Sequence, residues 1–274
     1  MADDWPRYST RRDKAALVDT TVPNPARVGD YMSGGQDNFE ADRRAARALA
    51  TTSPVVSAII PALRAFHQRA VRYLVAEAGI RQFLDIGTRL TMSGNTHELA
   101  QSLAPESRIV YATGDPVVLS HARALATSTA DGAVASLDAD ASDPRAILAG
   151  SAETLDLGQP VAILLMATLA FVLDDDVADE IMLSLIGAVP AGSYVALHHQ
   201  ASDLDPGTWA LVRRWNAMSD HQMTLRSHEE LTELLDGLDA VPPGLVPVPE
   251  WRPAPGDPRS EHVIPIYGAV ARKP

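Results

Sequence analysis

From residue 82 onward the chain repeats one unit: a short apolar run that stops at a polar or small residue, then a segment with helical spacing. The runs are QFLDIG (82–87), RIVYAT (108–113), AVASLD (133–138), VAILLMA (161–167) and SYVALHH (193–199). The spacing predicts helices over 95–103, 116–126, from Asp143-Pro144 onward, and over 174–186. Alternation of this kind predicts an α/β fold, a doubly wound and mainly parallel sheet with helices on both faces and right-handed crossovers. VAILLMA is apolar throughout, as a central strand buried on both faces requires. Pro116 suits a first helical position. Asp174 to Asp176 precede a helix and read as N-caps rather than catalytic acids.

The flanks follow other rules. Residues 1–25 are polar and proline-marked and read as a flexible arm. Residues 26–78 carry helical periodicity over about 36–51 and 55–78, and read as an N-terminal helical cap. Gly79 is the expected C-cap, and Pro61 is expected to kink the second helix or mark its first turn. Residues 79–274 form the sheet domain, in one compact unit with the cap. Near the C-terminus 227–235 reads as a short helix. The proline-rich LVPVPEWRPAP is excluded from a central strand, and HVIPIYGAVARK reads as a last strand closing the sheet edge.

Composition removes several chemistries. The chain has no cysteine, so disulfides, thiolate nucleophiles and Cys-ligated zinc are excluded. A net charge of −12, scattered basic residues and 5% aromatics give no footprint for nucleic acid. The longest apolar run, 161–172, falls short of the roughly 20 residues that span a bilayer. The N-terminus lacks an apolar signal region, and a cytoplasmic protein is expected. No His, Asp and Glu grouping has metal-ligand spacing, and the GxSxG elbow is absent. The expected partner is a small molecule, without nucleic acid or membrane, for a monomer or homodimer.

In open parallel sheets ligands bind beyond the C-terminal ends of the strands, so the first crossover, LDIGTRLTMSGNTHELAQ, is the place to look. Asp85 ends a strand, Gly87 permits a tight turn, and Arg89, Leu90, Thr91 and Met92 are bulky where a nucleotide site needs small residues. The stretches ARVGDYMSGGQDNFEADR (26–43), GIRQFLDIGT (79–88), NTHELAQ (95–101), APESRIVYATGDPVVLSHARAL (104–125), PVAILL (160–165), GSYVALHHQASD (192–203) and GLVPVPEWRP (244–253) resemble the actinobacterial family of S-adenosylmethionine-dependent methyltransferases. The likeness runs from about Pro25 to the C-terminus. It implies a Rossmann-like methyltransferase fold, a mainly parallel seven-stranded sheet with an N-terminal helical cap, and S-adenosylmethionine at the first crossover.

The departures from the family pattern share a direction. Arg89 stands where the family has glycine after Thr88, and Thr91 and Met92 replace Pro-Thr. Thr113 stands where the family's second strand ends in an Asp that accepts the ribose hydroxyls, and Asp115 follows two residues on. Leu63 replaces an Asn, Ala170 a His, and Gln36 a Lys. Losing a charge-assisted hydrogen bond removes roughly 1.5–3 kcal/mol. The expected outcome is weak or absent S-adenosylmethionine binding, with Asp85 and Asp138 as the remaining cofactor acids.

Other polar residues are candidates for chemistry. His198 and His199 end the fifth strand and face opposite sides of the sheet, with Asp203 soon after; an imidazole there is a candidate general acid or base. Tyr31, Asp37 and Asn38 lie at the cap entrance, with contact to a ligand and a turn role both open. His97-Glu98 reads as a helix start. Three functions stay open: a repurposed, cofactor-independent enzyme of natural-product biosynthesis, such as a cyclase or isomerase acting on an apolar molecule; an active methyltransferase; and a non-catalytic binding protein.

Overall fold

The computed structural model describes residues 18–87, 94–125 and 127–274. Five parallel strands form the centre: β1 (Gln82–Ile86), β2 (Arg108–Thr113), β3 (Ala133–Asp138), β4 (Ala162–Met166) and β5 (Tyr194–Gln200). Two-residue strands β6 (Asp239–Ala240) and β7 (Val246–Pro247) precede β8 (Ile266–Arg272). The order is β3-β2-β1-β4-β5-β8-β6, with β7 also on β8. The expected mainly parallel α/β sheet is therefore present. The last strand differs from expectation. β8 does not close the edge but lies between β5 and β6, antiparallel to both. Its run IYGAVA is buried throughout, which only an interior strand can be.

Helices α1 (Pro25–Met32), α2 (Glu40–Thr52) and α3 (Val56–Ala76) form the cap. Crossovers carry α4 (Thr96–Leu103), α5 (Pro116–Leu125), α6 (Pro144–Ser151) and α7 (Asp175–Gly187). Then come α8 (Thr208–Asn216) and the short α9 (His228–Glu233). Neither α1 nor α8 is apparent from periodicity. In α1 the buried positions include Arg27 and Asp30, so its inner face is not apolar. Pro61 does not break α3, which runs through it. Asp174 caps α7, its side chain accepting from the Val177 amide, as expected of an acid before a helix.

Strand alternation sorts the core into two layers. Phe83, Ile109 and Leu164 pack with Phe66 and Leu74 of α3 on one face. Leu84, Val110, Ile163 and Leu165 pack with Ile147 of α6 and Ile181 and Leu185 of α7 on the other. Each fully buried aliphatic side chain contributes about 1.5–3 kcal/mol. This double burial fixes the register, because a one-residue slip would exchange the two faces.

The cap is held differently. Arg27 Nε donates to Asp42 Oδ2 at 2.9 Å, and both residues are buried. The same carboxylate accepts from the Asn24 amide at 2.9 Å and the Phe39 amide at 2.8 Å. Residues 18–24, expected as the end of a loose arm, are tied into this cluster: Arg27 Nη2 donates to the Val22 carbonyl, and Ser219 Oγ to the Pro23 carbonyl. The rest of that arm, residues 1–17, lies outside the described residues. Among the described residues no single helix is long and apolar enough to cross a membrane.

Candidate functional site

A cavity of about 880 Å³ opens between the cap and the C-terminal ends of the parallel strands. That size is within the usual range for small-molecule sites. Its floor follows the strand ends in order: Gly87 after β1, Thr113 and Gly114 at β2, Ala139 to Ala141 after β3, Met166 to Thr168 at β4, and Gln200 at β5. Its roof comes from α1 and α3, through Val28, Ile59, Ile60 and Leu63 among others, and from α8 through Leu211, Val212 and Trp215.

Gly87 shows why the first turn is tight. Its φ is +78°, a left-handed conformation that glycine adopts without strain. A Cβ there would also lie 2.6 Å from Thr168 Oγ1, which donates to the Ile86 carbonyl. Arg89, Leu90, Thr91 and Met92, expected to crowd the cofactor, and Thr88, expected to border the pocket, lie outside the described residues.

Several sequence candidates reach the cavity. Leu63, Gly87, Thr113 and Asp115 all line it. Thr113 Oγ1 accepts from the Asp115 amide at 3.2 Å. Asp115 is occupied as a helix cap: Oδ1 accepts from the Val117 and Val118 amides, and Oδ2 accepts from Asn24 Nδ2 at 2.7 Å. Asn24 in turn caps α1 through Oδ1. One amide side chain thus fastens the roof to the sheet.

Other candidates lie off the cavity. Asp85 Oδ2 accepts from Thr96 Oγ1 at 2.6 Å, and Thr96 Oγ1 is 2.9 Å from His67 Nε2, a partly buried chain that anchors the start of α4. Beside it the Tyr111 hydroxyl accepts from the His97 amide and lies 2.8 Å from His97 Nδ1. Burial lowers the His97 pKa. Asp138 ends β3 exposed, opposite Thr113 in register. Ala170 is fully buried in the short 3-10 turn after β4. Asp37 and Asn38 wrap the buried Asp30 carboxylate, the Asp37 amide and Asn38 Nδ2 donating to its Oδ2. Tyr31 packs among the cap residues with Trp215.

His198 and His199, each a candidate general acid or base, sit on opposite faces of β5, and neither is among the residues lining the cavity. His198 is buried with its ring edge-on to Phe66, centroids 6.2 Å apart. His199, on the opposite face, has Nδ1 2.9 Å from the Gln200 carbonyl and Nε2 2.8 Å from Arg226 Nη1. Nδ1 therefore carries the proton and Nε2 accepts from the guanidinium. Burial, with Arg226 adding to it, lowers the His199 pKa to about 4. A neutral imidazole locked this way is a structural acceptor, not a proton shuttle at neutral pH. Asp203 is exposed and caps α9, accepting from the His228 amide at 3.0 Å.

The family model described as S-adenosyl methyltransferase matches residues 11–274. The chain belongs to this methyltransferase family. Among solved structures it is similar to a DUF574-family protein of Streptomyces avermitilis, with 42% identity, a TM-score of 0.90, and coverage of 93% of this chain and 99% of that one. It is also similar to a proposed methyltransferase of Thermobifida fusca, with 35% identity, a TM-score of 0.84, and coverage of 93% and 96%. No curated protein matches it. These likenesses agree with the family and with the fold.

Several polar cavity residues of this methyltransferase relative are not singled out by the sequence. Asp140 stands beside Gly114, its Oδ2 3.2 Å from where a side chain on that glycine would begin. The signal was present as a second acid two residues after Asp138. His221 and Thr208 also line the cavity and belong to no motif, and Gln200 lines it from within the stretch GSYVALHHQASD. Among the described residues no group of three or more His, Asp or Glu could hold a metal ion.

Proposed function

We propose that this methyltransferase relative acts in the cytoplasm on a small, largely apolar natural product, without using S-adenosylmethionine. The cavity wall carries the reading. Its roof is largely apolar, while the strand-end position that would grip a ribose holds a threonine hydroxyl already accepting from the Asp115 amide. The Asp115 carboxylate has both oxygens engaged, so it offers no ready anchor for the diol. Thr113 and Asp115 therefore leave no unengaged carboxylate oxygen for the ribose diol at this strand end. A cyclisation or isomerisation that depends on holding one reactive conformer needs only such a shaped, water-poor space. His221 supplies an imidazole on the wall for proton movement.

Isothermal titration calorimetry with S-adenosylmethionine and its demethylated product tests the reading. The expected affinity is at least tens of times below that of a working enzyme. Low-micromolar binding of either compound would overturn it. Replacing Arg89→Gly together with Thr113→Asp is expected to tighten binding. An unchanged affinity would mean these positions are not the cause.

One observation favours an active methyltransferase instead. Asp140 places a carboxylate beside Gly114 at the β2–β3 end, which suits an adenine amine. The same titration separates the two readings.

A further inference from the structure

Among the described residues, His221 is the histidine that lines the cavity. It stands in the loop after α8 and is exposed. The loop fastens it on both sides. Its amide donates to Ser219 Oγ at 3.1 Å, and its carbonyl accepts from Nε1 of the buried Trp215 at 2.6 Å. Ser219 Oγ in turn donates to the Pro23 carbonyl at 2.9 Å. An exposed loop imidazole is ordinarily free to wander. This one has its backbone tied to a cavity-lining helix and to the segment that leads into the cap. A group fixed before its ligand arrives gives up little freedom when it reacts.

The ring is set as well. His221 Nε2 lies 3.4 Å from Asn24 Nδ2. The Asn24 amide has one orientation, because its Oδ1 accepts from the Ala26 and Arg27 amides and caps α1, while its Nδ2 donates to Asp115 Oδ2 at 2.7 Å. A carboxamide nitrogen only donates, so Nε2 is the accepting, unprotonated nitrogen and Nδ1 carries the proton. At 3.4 Å the bond is weak: Asn24 orients that lone pair and leaves it easily displaced. Negative charge stands beside the ring. Asp115 shares the Asn24 amide with it, and Asp220, the residue before it, also lines the cavity. Charge of that sign stabilises an imidazolium once it forms.

We propose that His221 is the catalytic base of this cavity, and that its substrate is an apolar carbon acid, a small molecule with a C–H bond acidified by a neighbouring electron-withdrawing group. This deepens the reading above and rests on it, since an isomerisation moves such a proton. Nε2 takes the proton, and the C–H electron pair stays on the substrate as a delocalised carbanion. The imidazolium then returns the proton to another carbon of the same molecule, so atoms and charge balance with no further reactant. His199 does not serve, because its Nε2 is taken by Arg226. Asp19, Asp115, Asp140 and Asp220 also line the cavity, but a carboxylate is ordinarily a weaker base than an imidazole.

The test uses 5-nitrobenzisoxazole, a flat apolar carbon acid whose ring opens when a base takes its C–H proton. The C–H pair completes a nitrile, the N–O bond breaks, and its pair leaves on a coloured phenolate. 5-Nitroindazole has the same outline without the N–O bond, and reports binding alone by calorimetry on the full chain. The parent protein is expected to bind the indazole and to open the benzisoxazole faster than buffer does. His221→Gln keeps an acceptor for Asn24 but is no base. It should bind the indazole as before and lose at least about tenfold in kcat/KM. Binding without acceleration, or acceleration that survives His221→Gln, would overturn the base and leave the apolar-cavity reading standing. Neither binding nor acceleration in the parent protein would overturn both. A variant that loses indazole binding along with the rate would show that His221 shapes the cavity instead of taking the proton, and would also overturn the proposal.

Discussion

The sheet and the cap of this molecule are held by opposite means. At β4, Ile163, Leu164 and Leu165 are buried against helices on both faces, and apolar area does the holding. In α1 the buried residues include Arg27 and Asp30, and at α2 the carboxylate of Asp42 gathers a guanidinium and two backbone amides. Apolar burial tolerates small shifts and loses energy in proportion to the area exposed. A buried charge cluster fails abruptly, because removing one member strands the others without water. The cavity lies where the two regimes meet, so its floor is fixed by the sheet and its roof depends on a few polar contacts.

The sharpest way to break that contrast is Asp42→Ala. Stranding the Arg27 guanidinium is expected to cost about 3–5 kcal/mol. In hydrogen exchange, amides of α1 and α2 should lose protection well before those of β1 and β4. Leu164→Ala is the control from the other regime, expected to cost about 2–5 kcal/mol as lost transfer energy plus a cavity. It should lower protection across the whole sheet. If Asp42→Ala lowered sheet and cap protection together, the cap would not be a separately held region.

A second effect runs against the contrast, since the sheet side has a buried polar group of its own. His199 accepts from Arg226, whose Nη2 also pairs with Asp175 at 2.9 Å. Its pKa near 4 lies below the ordinary value of 6.5, chiefly through burial. The unfolded chain therefore takes up this proton first as the pH falls. The contribution is complete above about pH 6.5 and is lost progressively between there and 4, by about 3 kcal/mol at most. Denaturant midpoints between pH 7 and 4 should show this slope, and His199→Gln should flatten it. A slope unchanged by the substitution would assign the acid sensitivity to other groups.

The contrast also explains what the sequence reveals. Five strands and their order of appearance are legible because double burial demands continuous apolar runs such as VAILLMA. The cap is legible only in part. The inner face of α1 carries Arg27 and Asp30, which a hydrophobic period cannot register. α8 begins after Asp-Pro-Gly, which reads as a turn. At the site, Thr113 is legible because a strand-end position is predictable. Gln200 is not, because the strand runs one residue past the apolar run, and Thr208 is not, because it opens its helix straight after that turn. His198 and His199 drew attention as residue types, yet their placement depends on Phe66 and Arg226, distant in sequence and invisible to local reading.

The smallest expected effect isolates the joint between the two regimes. Asn24 does two jobs: Oδ1 caps α1 by accepting from the Ala26 amide at 2.9 Å, and Nδ2 donates to Asp115 Oδ2 at 2.7 Å. Asn24→Ala removes both, and is expected to cost about 1–2 kcal/mol, since a lost N-cap alone accounts for about 1. Asn24→Ser keeps a capping oxygen but cannot reproduce the amide donor, so it isolates the joint, at about 0.5–1.5 kcal/mol. Asp115→Ser is the matching change, because serine can still cap α5. A double-mutant cycle of the two serine variants, followed by denaturant unfolding, should show coupling of about 0.5–1.5 kcal/mol if roof and sheet are fastened here. Strict additivity would mean the bond adds nothing net. The roof would then rest on apolar contacts such as Leu63 and Leu211, and the division between a polar cap and an apolar sheet would fail at the one place where the cavity needs it.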